Sequence, residues 1–127
     1  MSLLTGQEEG VRLQGPVTTL VLAAVANAVT VFSLSAFNQL VGTKSMKITK
    51  IKLRNNAAGS TYIHIGTGVG GTFIDLIPAL YTINAMSDDY GEGELPSREA
   101  FASITAWPEA LIGALGIDIQ IEVAEIG

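Results

Sequence analysis

Cysteine is absent from the 127 residues, and histidine and tryptophan occur once each, at His64 and Trp107. Without a thiol there is no disulfide framework, no thiolate nucleophile and no thiolate metal site, and a lone histidine excludes a multi-histidine metal centre. Basic residues are scarce too, seven against twelve acidic ones, for a net charge of −5. Such a chain lacks the dominant basic face that phosphate neutralisation needs, which argues against nucleic-acid binding. The N-terminal residues do not read as a secretory signal, because Glu8 and Glu9 stand where an apolar h-region belongs. Synthesis in the cytoplasm is the expectation.

Charge of either sign is missing from residues 13 to 43, whereas five of the seven basic residues crowd between Lys44 and Arg54. An uncharged run of that length meets the criterion for a membrane span. However, Thr18, Thr19, Asn27, Thr30, Ser33 and Ser35 interrupt it, β-branched residues are frequent, and no basic cluster flanks its N-terminal side. Buried strands are expected instead, and no membrane partner. With 48% hydrophobic and 15% charged residues and a mean hydropathy of +0.42, the chain is too apolar to be disordered. One domain of this size buries roughly two-thirds of its unfolded surface. The apolar surplus is expected to lie at interfaces with other proteins.

Turn and strand signals point to an all-β, single-domain β-sandwich or jelly roll with an extended N-terminal arm and at most one short helix. Residues 1–16, rich in glycine and glutamate, show neither amphipathic period and are expected as the arm, followed by a β-sandwich domain over 17–127. Val17 to Val25 is apolar on both parities, the pattern of a strand covered on both faces, and Val29 to Ala36 resumes after a turn at Asn27. In Ser45 to Asn55 the apolar set changes parity between Ile48 and Ile51, and a bulge near Thr49 and Lys50 would return it to one face. Asn55 to Gly59 reads as a turn and Thr61 to Ile65 as a strand. Pro78 divides residues 72–84 into two short pieces. Ser87 to Ser97 reads as an acidic surface loop, Phe101 to Trp107 as a strand, and Pro108 to Leu111 as the opening of a short helix. Ile117, Ile119, Ile121 and Val123 alternate with Asp118, Gln120 and Glu122, the signature of a half-buried strand.

Chemical motifs are few. Gly66-Thr67-Gly68-Val69-Gly70-Gly71 matches a phosphate-binding glycine pattern, but the site needs a following helix whose amides face the pyrophosphate. Here Thr72 to Ile77 is short, β-rich and stopped by Pro78, so a hairpin loop is expected and no cofactor. His64 between Ile63 and Ile65 would need a placed nucleophile such as Ser60 or Thr61 to act as a general base, and otherwise reads as a strand histidine. Asp88, Asp89, Glu92 and Glu94 match no calcium-loop spacing. No catalytic, cofactor or metal residues are therefore assigned, and the chain is expected not to be an enzyme. Candidate interface residues are Leu3, Leu4, Val11 and Leu13 of the arm, Lys44, Lys47, Lys50, Lys52 and Arg54 of the basic strand, and Asp88, Asp89, Glu92 and Glu94. Opposed basic and acidic patches permit contacts between copies, with a trimer as the expected oligomer.

The run Ile51 to Gly68, followed by Leu76 to Asn84 and Gly93 to Pro96, resembles small virion structural proteins of tailed bacteriophages, over roughly residues 45 to 126. The resemblance lies in Gly/Ala/Thr-rich β structure with short turns. It implies a decoration or cement subunit on the outside of the head, bound to the major capsid protein. A carbohydrate-binding β-sandwich or a tail or fibre subunit in host recognition is the alternative. Trp107, Tyr62, Tyr81 and Tyr90 are the aromatic candidates for a sugar face.

Overall fold

The computed structural model describes residues 9–33, 45–91, 94, 96–113 and 115–126. These form two antiparallel sheets packed face to face as a β-sandwich. The strands are β1 (Glu9–Gln14), β2 (Thr18–Leu20), β3 (Val29–Phe32), β4 (Ser45–Asn55), β5 (Thr61–Thr67), β6 (Ile74–Asp75), β7 (Leu80–Thr82), β8 (Ser87–Tyr90), β9 (Glu99–Ala100), β10 (Ile104–Pro108) and β11 (Ile117–Ile126). The first sheet runs β1-β11-β4-β8, with β2 also on β11 and β9 also on β4. The second runs β3-β10-β5-β6, with β7 also on β5.

The central pair, β11 and β4, follows from side-chain alternation. Ile117, Ile119, Ile121 and Val123 are all but fully buried, while Asp118, Gln120 and Glu122 on the other parity are half-buried. Opposite them, Met46, Ile48, Ile51 and Leu53 point inward although their spacing breaks parity. The register explains how: Val123 faces Ile48 and Glu122 faces Lys50, so Thr49 is an extra residue on β4. This is the bulge expected from the sequence. Its hydroxyl, fully buried, bonds the Glu122 carboxylate at 2.7 Å, so the residue without a ladder partner keeps its polar group satisfied. Each buried isoleucine contributes about 1.5–3 kcal/mol by leaving water. From the second sheet, Val31, Ile63, Ile65, Ile104 and Ala106 complete the core.

Buried Asn55 builds the turn that leaves β4. Its side-chain carbonyl accepts from the Ala57 amide at 2.9 Å, and its amide nitrogen donates to the Gly59 carbonyl at 3.1 Å. The glycine run 66–71 closes a hairpin between β5 and β6. Gly66 is required by close approach, because a Cβ there would collide with the Ile74 carbonyl oxygen, and Gly68 adopts φ +88°. The only helical element in this loop is the three-residue 3-10 turn Gly70–Thr72. Two short strands, β6 and β7, flank Pro78 as expected.

Four segments differ from the sequence reading. Val17 to Val25 is not one strand: β2 covers only Thr18–Leu20, Val21 and Leu22 are exposed, and Val25–Asn27 is a 3-10 turn. The double apolar parity there reflects exposed side chains, not burial on both faces. Ser87 to Tyr90 is a strand, since β8 pairs along β4 from Arg54↔Ser87 to Ile51↔Tyr90. Phe101 lies outside β10 and is exposed. Pro108 ends β10 instead of opening a helix: its carbonyl accepts from the Ala24 amide, and the next two amides, of Glu109 and Ala110, donate to the Tyr62 carbonyl and the Thr61 hydroxyl. Those long-range bonds occupy groups that a first helical turn would leave free.

Residues 9–14 of the segment read as an arm form β1, which pairs with β11 from Glu9↔Ile126 to Gln14↔Glu122. Of the uncharged stretch, residues 13–33 form strands and turns, and 34–43 lie outside the described residues. No helix among the described residues is long and apolar enough to cross a membrane.

Candidate interaction surfaces

The outer face of the first sheet carries the basic strand. Because β4 places alternate residues on opposite faces, Lys50, Lys52 and Arg54 are exposed while Ile51 and Leu53 are buried, and Lys47 is half-buried. The acidic partner comes from the same chain: Asp89 of β8 stands directly across from Lys52. Arg54 donates to the Ser87 hydroxyl at 2.9 Å and to the Asn56 side chain at 3.0 Å. On the β11 side, Glu122 lies across from Lys50 and 3.7 Å from Arg12. Exposed pairs of this kind contribute at most about 1 kcal/mol each.

Asp88 and Asp89, as neighbours on a strand, point to opposite faces and cannot converge on one cation. Glu94 accepts from the Gly91 amide at 2.8 Å. No group of three metal-donor side chains occurs among the described residues. Tyr90, on the inward parity of β8, packs against the core. Burial, and then the nearby Asp88 and Glu94 carboxylates, raise its phenol above the ordinary tyrosine range. Of the arm candidates, Val11 lies on β1 and Leu13 is half-buried against the core. Leu3, Leu4, Lys44 and Glu92 lie outside the described residues.

A second surface lies on the outer face of the other sheet. Tyr62 and His64 sit two residues apart on β5 and so share a face. Register places Tyr81 of β7 opposite Tyr62, and Trp107 of β10 opposite His64. The two tyrosine rings lie 5.0 Å apart at 59°, and the histidine ring stacks on the indole at 4.2 Å and 12°. Phe73 meets the indole edge-on at 5.7 Å. His64 is held from both sides, Nδ1 at 3.3 Å from Asp75 and Nε2 at 2.6 Å from Glu109. Both nitrogens can donate at once only in the imidazolium form. Neither Ser60 nor Thr61 faces the ring: the Ser60 hydroxyl interacts with Asn84, and that of Thr61 with the Ala110 amide. The arrangement around His64 is therefore a two-carboxylate clamp to which neither Ser60 nor Thr61 is brought. Three of the four aromatic candidates thus meet on one sheet, and Tyr90 belongs to the other.

A third surface, which sequence reasoning missed, lies at one end of the sandwich. Leu20↔Ile117 and Asn55↔Ile117 pairing brings the chain after β2, the turn after β4, the β7–β8 connection and the loop before β11 together. Backbone bonds tie them: Asn56 to Gly116, Ala58 to Ile112, and Ala85 to Asn55. Val21, Leu22, Ile83, Met86, Ile112 and Leu115 are here 47–72% exposed. Each stands in a turn or loop with no periodic pattern, and only long-range pairing gathers them.

No family model matches the chain, and no curated protein matches it either. Among solved structures, a subunit described under "Bacillus endospore appendages form a novel family of disulfide-linked pili" shares 11% identity, covers 100% of this chain and 98% of its own, and gives a TM-score of 0.44. The coat protein of Tobacco streak virus shares 13% identity with coverage of 100% and 90% and a TM-score of 0.41. Likeness of that degree is too low to fix a shared role, and this chain has no cysteine with which to form a disulfide.

Proposed function

We propose that the chain is a non-enzymatic structural subunit that binds other protein copies, and that it decorates the outside of a bacteriophage head as a cement protein, most simply as a trimer bound to the major capsid protein. The observation that carries this reading is the apolar loop end. A fully formed core does not account for six large apolar side chains left exposed on connections that backbone bonds tie together at one end, and exposed apolar surface of this kind fits a protein contact. The basic face, Lys47, Lys50, Lys52 and Arg54, would set register against an acidic partner more than add affinity. Leu3 and Leu4, ahead of β1, would supply a second anchor. Binding only to the assembled shell would stabilise that shell by mass action.

The test is co-sedimentation with heads assembled without this subunit, alongside light scattering of the free protein. Wild type should pellet with the heads and scatter as a defined oligomer, whereas Leu22→Asp with Leu115→Asp should lower head binding at least tenfold with an unchanged melting temperature. A wild-type protein that remains monomeric and binds no head surface would remove the proposal.

A further inference from the structure

The aromatic face of the second sheet differs in chemistry from the apolar end. On β5, β7 and β10 its outward side chains are rings and polar groups, Tyr62, His64, Tyr81 and Trp107, without an outward leucine, isoleucine or valine. Tyr62 and Tyr81 are 46% and 50% exposed. Two carboxylates stand beside them, Asp75 and Glu109, each about half exposed while bonded to His64. The Glu109 amide bonds the Tyr62 carbonyl at 2.9 Å, which fixes the carboxylate-bearing residue next to the tyrosine pair. No strand of this sheet contains a lysine or arginine.

From this juxtaposition we infer that the outer face of β5, β7 and β10 binds a neutral glycan. Exposed ring faces meet the apolar C–H face of a pyranose, and carboxylates accept hydrogen bonds from its hydroxyls, roughly twice as strong as neutral ones. The charge class follows from the same groups: the one side chain on these strands able to carry positive charge, His64, lies between Asp75 and Glu109, so a sialylated, sulfated or phosphorylated ligand would meet two carboxylates with no lysine or arginine to offset them. The His64 clamp gives the face a rigid floor: with both ring nitrogens held and the ring flat on Trp107, little side-chain freedom remains to be lost on binding. Aliphatic docking chemistry is concentrated instead at the loop end, which separates a protein contact from the glycan face. A subunit on the outside of a virion or fibre would present this face to the surface polysaccharide of a cell, yet the inference stands on the face alone.

The experiment is binding of the intact protein to an array of neutral oligosaccharides built from hexoses, deoxyhexoses and N-acetylhexosamines, with sialylated and sulfated glycans alongside, followed by calorimetric titration of the best ligand. A neutral glycan should bind, and Tyr62→Ala and Tyr81→Ala should each weaken it at least tenfold. Melting curves must show both variants folded, and Tyr62→Phe should retain binding through its ring. Absence of any neutral ligand, preference for anionic glycans, or binding that survives the double tyrosine variant would overturn the inference. So would a tyrosine variant that changes oligomer size in a protein that binds no sugar, since the face would then be a protein contact. Leu22→Asp with Leu115→Asp should leave glycan affinity unchanged, so the two surfaces can fail independently.

Discussion

At the scale of single residues, the buried polar groups separate into satisfied and unsatisfied ones. Asn55 and Thr49 spend their hydrogen-bonding capacity on turn and bulge. By contrast, the Thr82 hydroxyl is buried without a partner, as is the indole nitrogen of Trp107. A buried hydroxyl that bonds nothing is pure desolvation cost, and valine has nearly the same shape. Thr82→Val should therefore stabilise the protein by about 1 kcal/mol, raising the melting temperature by roughly 4 °C; a fall on calorimetry would mean that the hydroxyl has a partner. Tyr90 supplies a pH prediction. Its phenol is raised in the folded state, first by burial and then by Asp88 and Glu94, so folding favours the protonated form. The sign follows: that contribution is intact below the unfolded tyrosine value of about 10 and is lost as pH rises through the higher folded value. Ultraviolet titration should show a late-ionising step that Tyr90→Phe removes, and the same variant should reduce the alkaline loss of stability.

Among the elements, β1 bears most directly on how the N-terminal segment is understood. It closes one side of β11, and Leu13 packs on the core. Deleting residues 2–8 should leave the melting temperature within a degree or two while weakening attachment to heads. Extending the deletion to residue 14 should lower it clearly, because β11 then loses a ladder neighbour and the core its Leu13 cover. Equal melting of both truncations would show that β1 contributes nothing to the fold. The elements that were legible in the sequence are those whose patterns are local. Ile117 to Val123 alternates strictly, the parity break between Ile48 and Ile51 demands one extra residue, and Pro78 cannot sit inside a strand. β8 was not legible, since Ser-Asp-Asp-Tyr has poor intrinsic strand preference and becomes a strand by pairing with β4. Pro108 misled for the converse reason: its local preference for a helix start yields to bonds reaching Tyr62 and Thr61.

For the whole molecule, sequence alone gave two sheets in principle but not the surfaces. Parity placed Tyr62 and His64 on one side of β5, whereas meeting Tyr81 and Trp107 depends on register between strands that sequence spacing does not specify. The apolar end is a still clearer case, gathered from four connections separated by up to about ninety residues of chain. The same long-range character governs how the fold is reached. β11 follows every other described strand in chain order and lies between β1, β2 and β4. Until it is made, the inward isoleucines of β4 have no neighbour on one side, and β1 and β2 have no sheet to join. β4 can pair with β8 and β9 as they are made, but its other edge stays open until β11 follows, so β1 and β2 join the first sheet only then, and that open edge is a template for pairing with other nascent chains in the interval.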